Sequence, residues 1–210
     1  MASAPKVDLE DSKTRLIEAA EQLMREEGYA AVTSRRVASK AGLKPQLVHY
    51  YFRTMDDLFL AILEQGAGQD RVRLSRALAS ARPLPALWEL SCDPQIAVIA
   101  AEFVALANHR KKIRAEIARY AEQARAVQID AITRILKEHG IGRNVCPPAA
   151  FSVVMGSIAR VLVVEKSLGM SKGHAETIAL VKRYMRHLGG LRKTQKVRKS
   201  GHHRVSSPRY

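Results

Sequence analysis

Residues 32–54 read VTSRRVASKAGLKPQLVHYYFRT, with five basic side chains (Arg35, Arg36, Lys40, Lys44, Arg53), three adjacent rings (Tyr50, Tyr51, Phe52) and no carboxylate. Two short helices are predicted in this stretch. Thr33 is placed to cap the first, which carries Val37, Ala38 and Ala41 and stops at Gly42, where a left-handed turn suits glycine. The second opens at Pro45, whose missing N–H costs nothing in a first turn, and runs to about Phe52. Val48 and Phe52 lie four apart and can be buried with Leu43, while Gln46, His49, Tyr50 and Arg53 share the other side. Helices joined by AGLK make a helix-turn-helix pattern. A helix with hydrogen-bonding tips and cationic flanks fits the major groove of B-DNA, with N-terminal residues on base edges and flanks on phosphates. The nearby acids sit outside the stretch, at 8–27 and 56–64, so its cations are unopposed in sequence and can focus a polyanion onto one face.

Helical signals continue in both directions. Leu16, Ala20, Leu23 and Met24 recur at helical spacing in a first helix from about Ser12 to Glu27, with Asp11 or Ser12 as cap and Gly28 as stop. Thr54 and Asp57 form an approximate capping box for a helix from Met55 to about Ser80, broken by the prolines at 83 and 85. No sustained period-two alternation appears, so the expected class is all-α, with about nine helices. The expected domains are a head at 1–60 with its motif at 33–52, a larger body at 61–190, and a basic disordered tail at 191–210.

Thr14 to Leu63, TRLIEAAEQLMREEGYAAVTSRRVASKAGLKPQLVHYYFRTMDDLFLAIL, resembles the N-terminal domain of TetR-type bacterial transcriptional regulators. The shared pattern is a helix ending in Gly, then Thr, a Val-Ala pair, Ala-Gly and an aromatic-aromatic-Phe ending. The resemblance implies a homodimer of all-helical subunits, a three-helix DNA-binding head and a variable body that binds a small ligand. It implies that Ser34 touches phosphate and Arg35 a base edge, that Pro45, Gln46 and Leu47 face bases, and that His49, Tyr50 and Tyr51 face the DNA backbone. Three positions depart from the pattern. His49 replaces a usual tyrosine, Met55 a common lysine, and Lys44 a small capping residue. Met55 cannot make the lysine's ionic contact, and Thr33, Arg36, Lys44 and Arg53 complete the expected DNA-binding set with the residues just assigned.

The body is read from composition and spacing alone. Pro94 to Ala107 is nearly all apolar and is expected to be a buried helix, and His109 to Gly140 is amphipathic. Glu102 lies inside the apolar helix, where it needs a buried partner such as an arginine or serves as a ligand handle. An effector cavity is expected among Trp88, Ile99, Phe103, Leu106, Tyr120, Phe151 and Met155, with Glu102 or His109 as polar handles; the alternative is a fully packed core. The helix from Phe151 is apolar on two sides. With the segment after Gly173 it offers a dimer interface at Phe151, Val154, Ile158, Leu162, Ile178, Val181, Met185 and Leu188, unless a larger monomer buries them.

The net charge of +15 comes mainly from the end of the chain, where residues 182–210 carry no acid. The tail serves either solubility or sequence-independent phosphate attraction. Cys92 and Cys146 have no CxxC or histidine at ligand spacing, and His202 and His203 are merely adjacent, so neither a metal nor a cofactor is expected. No apolar leader precedes the polar start, and Arg160 interrupts the longest apolar run, so a soluble cytoplasmic protein with no membrane partner is expected. No phosphate-cradling glycine loop, GxSxG or spaced acid–base pair points to an enzyme. The expected function is a dimeric repressor of a palindromic double-stranded operator, released by an apolar small molecule. The alternatives are a ligand-independent or architectural nucleic-acid-binding protein using the tail, and a helical cytosolic enzyme.

Overall fold

The computed structural model describes residues 9–142 and 144–200, with residues 9 and 189–200 described by backbone alone. Among these residues the regular structure is helical: α1 (Leu9–Glu27), α2 (Ser34–Ala41), α3 (Pro45–Tyr51), α4 (Met55–Leu78), α5 (Pro83–Ser91), α6 (Pro94–Ala107), α7 (Lys111–Glu138), α8 (Pro148–Ser167) and α9 (His174–Ser200), with a 3-10 turn at Tyr29–Ala31 after α1. The all-α reading therefore stands.

Most local punctuation is as the sequence suggests. The Thr33 hydroxyl accepts from the Arg36 N–H at 3.4 Å, and Gly42 sits at φ 66° in the left-handed region. The Thr54–Asp57 box is reciprocal. Asp57 N–H donates to the Thr54 hydroxyl oxygen at 3.2 Å, while the Asp57 carboxylate accepts from Thr54 N–H at 3.1 Å and from its hydroxyl at 2.9 Å. The Thr54 hydroxyl, more than any other group, holds the Asp57 carboxyl below its usual range.

Two boundaries differ from expectation. Helix α1 begins by Leu9, so Ser12 lies inside it and is buried rather than capping it. Helix α9 runs through Gly189 and Gly190 to Ser200, so the first ten residues of the expected disordered tail are helical. Glycine disfavours helix by only about 1 kcal/mol relative to alanine, and the arginines, lysines and glutamine that follow favour it. Residues 201–210, the rest of that tail, lie outside the described residues.

The helices fall into two compact units. Among the described residues, one comprises those up to Ser75 together with Asp93–Ala124, and the other comprises Arg76–Cys92 and those from Arg125 onward. This division does not coincide with a boundary at residue 60, because α6 and the first half of α7 complete the core of the first unit. Leu16, Ala20, Leu23 and Met24 of α1 are buried with Val37 and Ala38 of α2, Val48 of α3, and Leu58 and Ile62 of α4. Phe103 and Leu106 of α6 and Ile113 of α7 close the same cluster.

Polar contacts fix α6 on this core. The Glu102 carboxylate accepts from Tyr29 N–H at 2.8 Å, so its partner is a backbone donor of the 3-10 turn rather than an arginine. Arg25 of α1 donates to the Gln95 carbonyl. Gly28, at φ 83° and ψ 165°, sits in a region close to glycine-only, and a Cβ there would stand 3.2 Å from the Glu102 carboxylate. Gly28→Ala is therefore expected to lower stability by about 1–3 kcal/mol. Glu102→Leu, which strands the Tyr29 N–H, should cost more than Glu102→Gln, which keeps an acceptor. Urea unfolding checks both, and wild-type midpoints for Gly28→Ala and Glu102→Leu would contradict the contact.

Candidate nucleic-acid interface

Helix α3 shows how burial sorts side chains into two classes. Val48 and Phe52 are buried, and Leu43, Leu47 and Tyr51 pack half-buried against the same core. Pro45, Gln46, His49, Tyr50 and Arg53 are exposed, as are Thr33 and Arg35 at the start of α2 and Lys44 between the two helices; Ser34 is half-buried. Tyr50 is 69% exposed, an unusual placement for a ring that stacks edge-on against Tyr51 at 5.0 Å between centroids. Gln46, His49 and Tyr50 thus share the exposed side of α3, as their spacing predicts, but the helix ends at Tyr51 and Phe52 is extended (φ −128°, ψ 112°), so Arg53 is exposed beyond the helix rather than placed by helical spacing. Leu47 and Tyr51, which the family resemblance turns toward DNA, are spent partly on the core.

The second helix is positioned by contacts invisible to local pattern. Arg15 of α1 donates to the Ala41 carbonyl at 2.7 Å, satisfying an acceptor at the end of α2. Arg36 reaches Glu27 at 2.5 Å and Lys40 reaches Glu26 at 2.8 Å. Two of the five cations that are unopposed in sequence are therefore opposed in space, because α1 ends beside α2. The Lys40 ammonium, helped by the Gln22 amide, holds the Glu26 carboxyl below its usual range, and Arg36 does the same for Glu27. Arg35, Lys44 and Arg53 enter no salt bridge seen among the described residues.

The N-terminal turn of α4 carries Met55, half-buried against the core, then Asp56 and Asp57. These acids would repel phosphate, but Arg110 pairs with Asp56, and Lys112 approaches Asp57 at 3.4 Å. The Arg110 guanidinium also lies 5.9 Å from the centre of the Phe59 ring.

The expected effector residues separate into two groups. Ile99, Phe103 and Leu106 belong to the core cluster of the first unit, Glu102 is engaged by Tyr29, Tyr120 stacks under the Arg119 guanidinium at 4.1 Å, and His109 is exposed. Trp88, Phe151 and Met155 do meet, in the second unit, around a cavity of about 20 Å³ also lined by Leu84, Leu87, Ser91, Gln128, Ile132, Ser152 and Gly156. That is room for about one water. The Ser152 hydroxyl donates to the Gln128 side-chain oxygen at 3.0 Å, so the lining carries hydrogen-bonding groups but no charge.

The interface candidates divide as well. Phe151, Val181, Met185 and Leu188 are buried within the subunit, Val154 is exposed, and Ile158, Leu162 and Ile178 are half-buried. Val161 and Val164 of α8 and Leu180 and Tyr184 of α9, absent from the expected set, are exposed. The sequence signal lies in the apolar second side of α8 and, on α9, in Tyr184, which falls at helical spacing with Ile178, Val181 and Leu188.

Residues 16–62 match the family described as bacterial regulatory proteins, tetR family. The chain is 32% identical over 137 residues to the HTH-type transcriptional regulator BetI of Brucella canis, a match covering 63% of each chain. It is 33% identical over 82 residues to BetI of Rhizobium meliloti, covering 37% of this chain and 40% of that one. These matches thus span less than two thirds of either relative. Among solved structures, a TetR transcription regulator from Haloarcula marismortui superposes with TM-score 0.68 at 18% identity, covering 85% of this chain and 96% of that one. A regulator from Saccharomonospora viridis in complex with choline gives TM-score 0.68 at 18% identity, covering 86% and 94%. At such identities these structures establish a shared fold alone.

Lys44 occupies the cap position of α3 with extended backbone (φ −79°, ψ 142°) but makes no side-chain cap. Lys44→Ser is expected to stabilise the chain by about 1 kcal/mol through that cap. It should at the same time weaken duplex DNA binding and lower the salt slope by about 0.9 per subunit. Thermal melting and binding titrations at several salt concentrations check this; a stabilised variant with tighter DNA binding would contradict the role of Lys44.

Proposed function

We propose that this chain, whose residues 16–62 match the tetR family of bacterial regulatory proteins, is a sequence-specific transcriptional regulator that represses a palindromic double-stranded operator as a homodimer. The observation that carries this reading is α3 itself, a helix whose apolar side is consumed by the core while Gln46, His49 and Tyr50 remain exposed, with Arg53 exposed just after its end. Arg35 and Gln46 read base edges; Ser34, Lys44, His49, Tyr50 and Arg53 hold phosphates. The DNA-binding segment is 1–60, and 61–190 serves assembly and effector binding. Such a protein works in the cytoplasm.

A second copy is the partner of the α8–α9 surface. Val154 and Val161 are each 53% exposed and Leu180 is 55% exposed, a degree of apolar exposure that invites association. Beside them a groove of about 330 Å³ runs between Ile158, Val161, Leu162 and Glu165 of α8 and Lys172, Gly173, His174 and Thr177. By length and composition α8 could also cross a membrane. The exposed Arg160 in its middle, and the family, favour protein association instead.

The effector is an apolar small molecule that enters beside Trp88, Phe151 and Met155. Since the free space there is about 20 Å³, binding must open the cavity, and the opened form must bind DNA less well. Relief of binding a hundredfold takes roughly 2.7 kcal/mol of differential affinity. Helices α4 and α7 each continue from one compact unit into the other and are the levers. Choline is bound by one structural neighbour; the uncharged lining here favours a ligand without formal charge.

Replacing Arg35 or Gln46 by alanine should cost roughly 1–3 kcal/mol on the operator and relax preference at particular base pairs, whereas Tyr50→Phe should weaken all sequences alike. Equal losses on operator and random DNA for Arg35→Ala and Gln46→Ala would overturn the reading role. Ile158→Glu with Val161→Glu should give a folded monomer, by sedimentation, that has lost operator binding; a stable, fully active dimer would refute the interface.

A further inference from the structure

Two ion pairs join α1 to α2. Arg36 and Lys40 lie four residues apart on α2, and each meets its own carboxylate on the last turn of α1, Glu27 at 2.5 Å and Glu26 at 2.8 Å. These pairs are half-exposed to solvent, with the side chains of Arg36 and Glu27 each 44% exposed, so they add little to stability. Their main effect is on charge. In a helix-turn-helix head the first helix of the motif crosses the DNA backbone, where a free arginine or lysine gains affinity for any sequence by displacing counterions. A carboxylate at hydrogen-bond distance competes with phosphate for the same cation.

We propose that Glu26 and Glu27 are specificity-determining positioning residues that hold Arg36 and Lys40 off phosphate and so restrain affinity for DNA of arbitrary sequence. This rests on the DNA-binding reading of α3. The physical argument concerns how the two binding modes differ. When Arg35 and Gln46 engage bases, the register is fixed and a cation to one side reaches phosphate only if the geometry allows it. On random DNA nothing fixes the register, and the head can shift to use every free cation. Freed cations therefore favour the unselective mode more than the selective one. Carboxyls held below their usual range by these same partners stay ionised, so the restraint persists at every pH near neutrality.

The test uses the full chain, a random-sequence duplex, and a genomic fragment selected by the wild-type protein, titrated between about 50 and 200 mM salt. Glu26→Gln with Glu27→Gln should steepen the salt slope on random DNA by up to about 1.8 per subunit, which enlarges the affinity ratio between those salt concentrations about twelvefold. Its preference for the selected fragment should fall. Lys40→Gln, which removes one withheld cation and no residue of the expected DNA-binding set, should leave the wild-type slope on random DNA unchanged. An unchanged slope in the folded glutamate double variant, or a slope shallower by about 0.9 in the Lys40 variant, overturns the proposal while leaving the DNA-binding reading intact. A wild-type chain that binds neither DNA defeats that reading, and this proposal falls with it.

Discussion

A seven-residue helix has almost no stability of its own in water, so the placement of every side chain on α3 depends on the burial of Val48 and Phe52. That burial requires a surface, and α1 and α2 provide part of it through Leu16, Leu23, Val37 and Ala38. Leu58, Phe59 and Ile62 of α4 belong to the same cluster, and so does chain about fifty residues further on. Phe103 and Leu106 of α6 and Ile113 of α7 complete the cluster, and Glu102 ties the turn after α1 to α6. The reading helix and α6 thus share one core.

Features set by neighbours in sequence were legible before the structure. The cap at Thr33, the left-handed Gly42, Pro45 at the start of α3 and the Thr54–Asp57 box each follow from residues within a few positions of one another. The two-sided pattern of α3 was legible for the same reason. What escaped was set by distance along the chain. Glu26 and Glu27 precede their partners by fourteen and nine residues, so a charge count along the sequence leaves Arg36 and Lys40 unopposed when folding opposes them. Glu102 stands seventy-three residues from Tyr29, and no local signal links a carboxylate in an apolar helix to one backbone N–H. The effector residues were chosen for apolar character, a property shared by core and cavity linings, and the structure gives Phe103 and Leu106 to the core and Trp88, Phe151 and Met155 to a cavity.

The balance of charge around the head has the same logic. Arg36, Lys40, Arg110 and Lys112 each face a carboxylate, while Arg35, Lys44 and Arg53 flank the exposed side of α3. Within the head, Arg35, Lys44 and Arg53 are thus exposed cations outside the salt bridges seen among the described residues. Charge attracts any nucleic acid, and discrimination comes from the few groups that reach base edges.

The most direct test of this account is selection of duplex fragments from genomic DNA by the full-length protein, followed by footprinting of those retained. The account predicts a shared palindrome whose half-site centres lie about 34–36 Å apart, or a larger in-phase distance if several dimers bind one operator. Retained fragments with no common sequence, held only in proportion to length and lost together as salt rises, would contradict it and leave a protein that binds nucleic acid through charge alone.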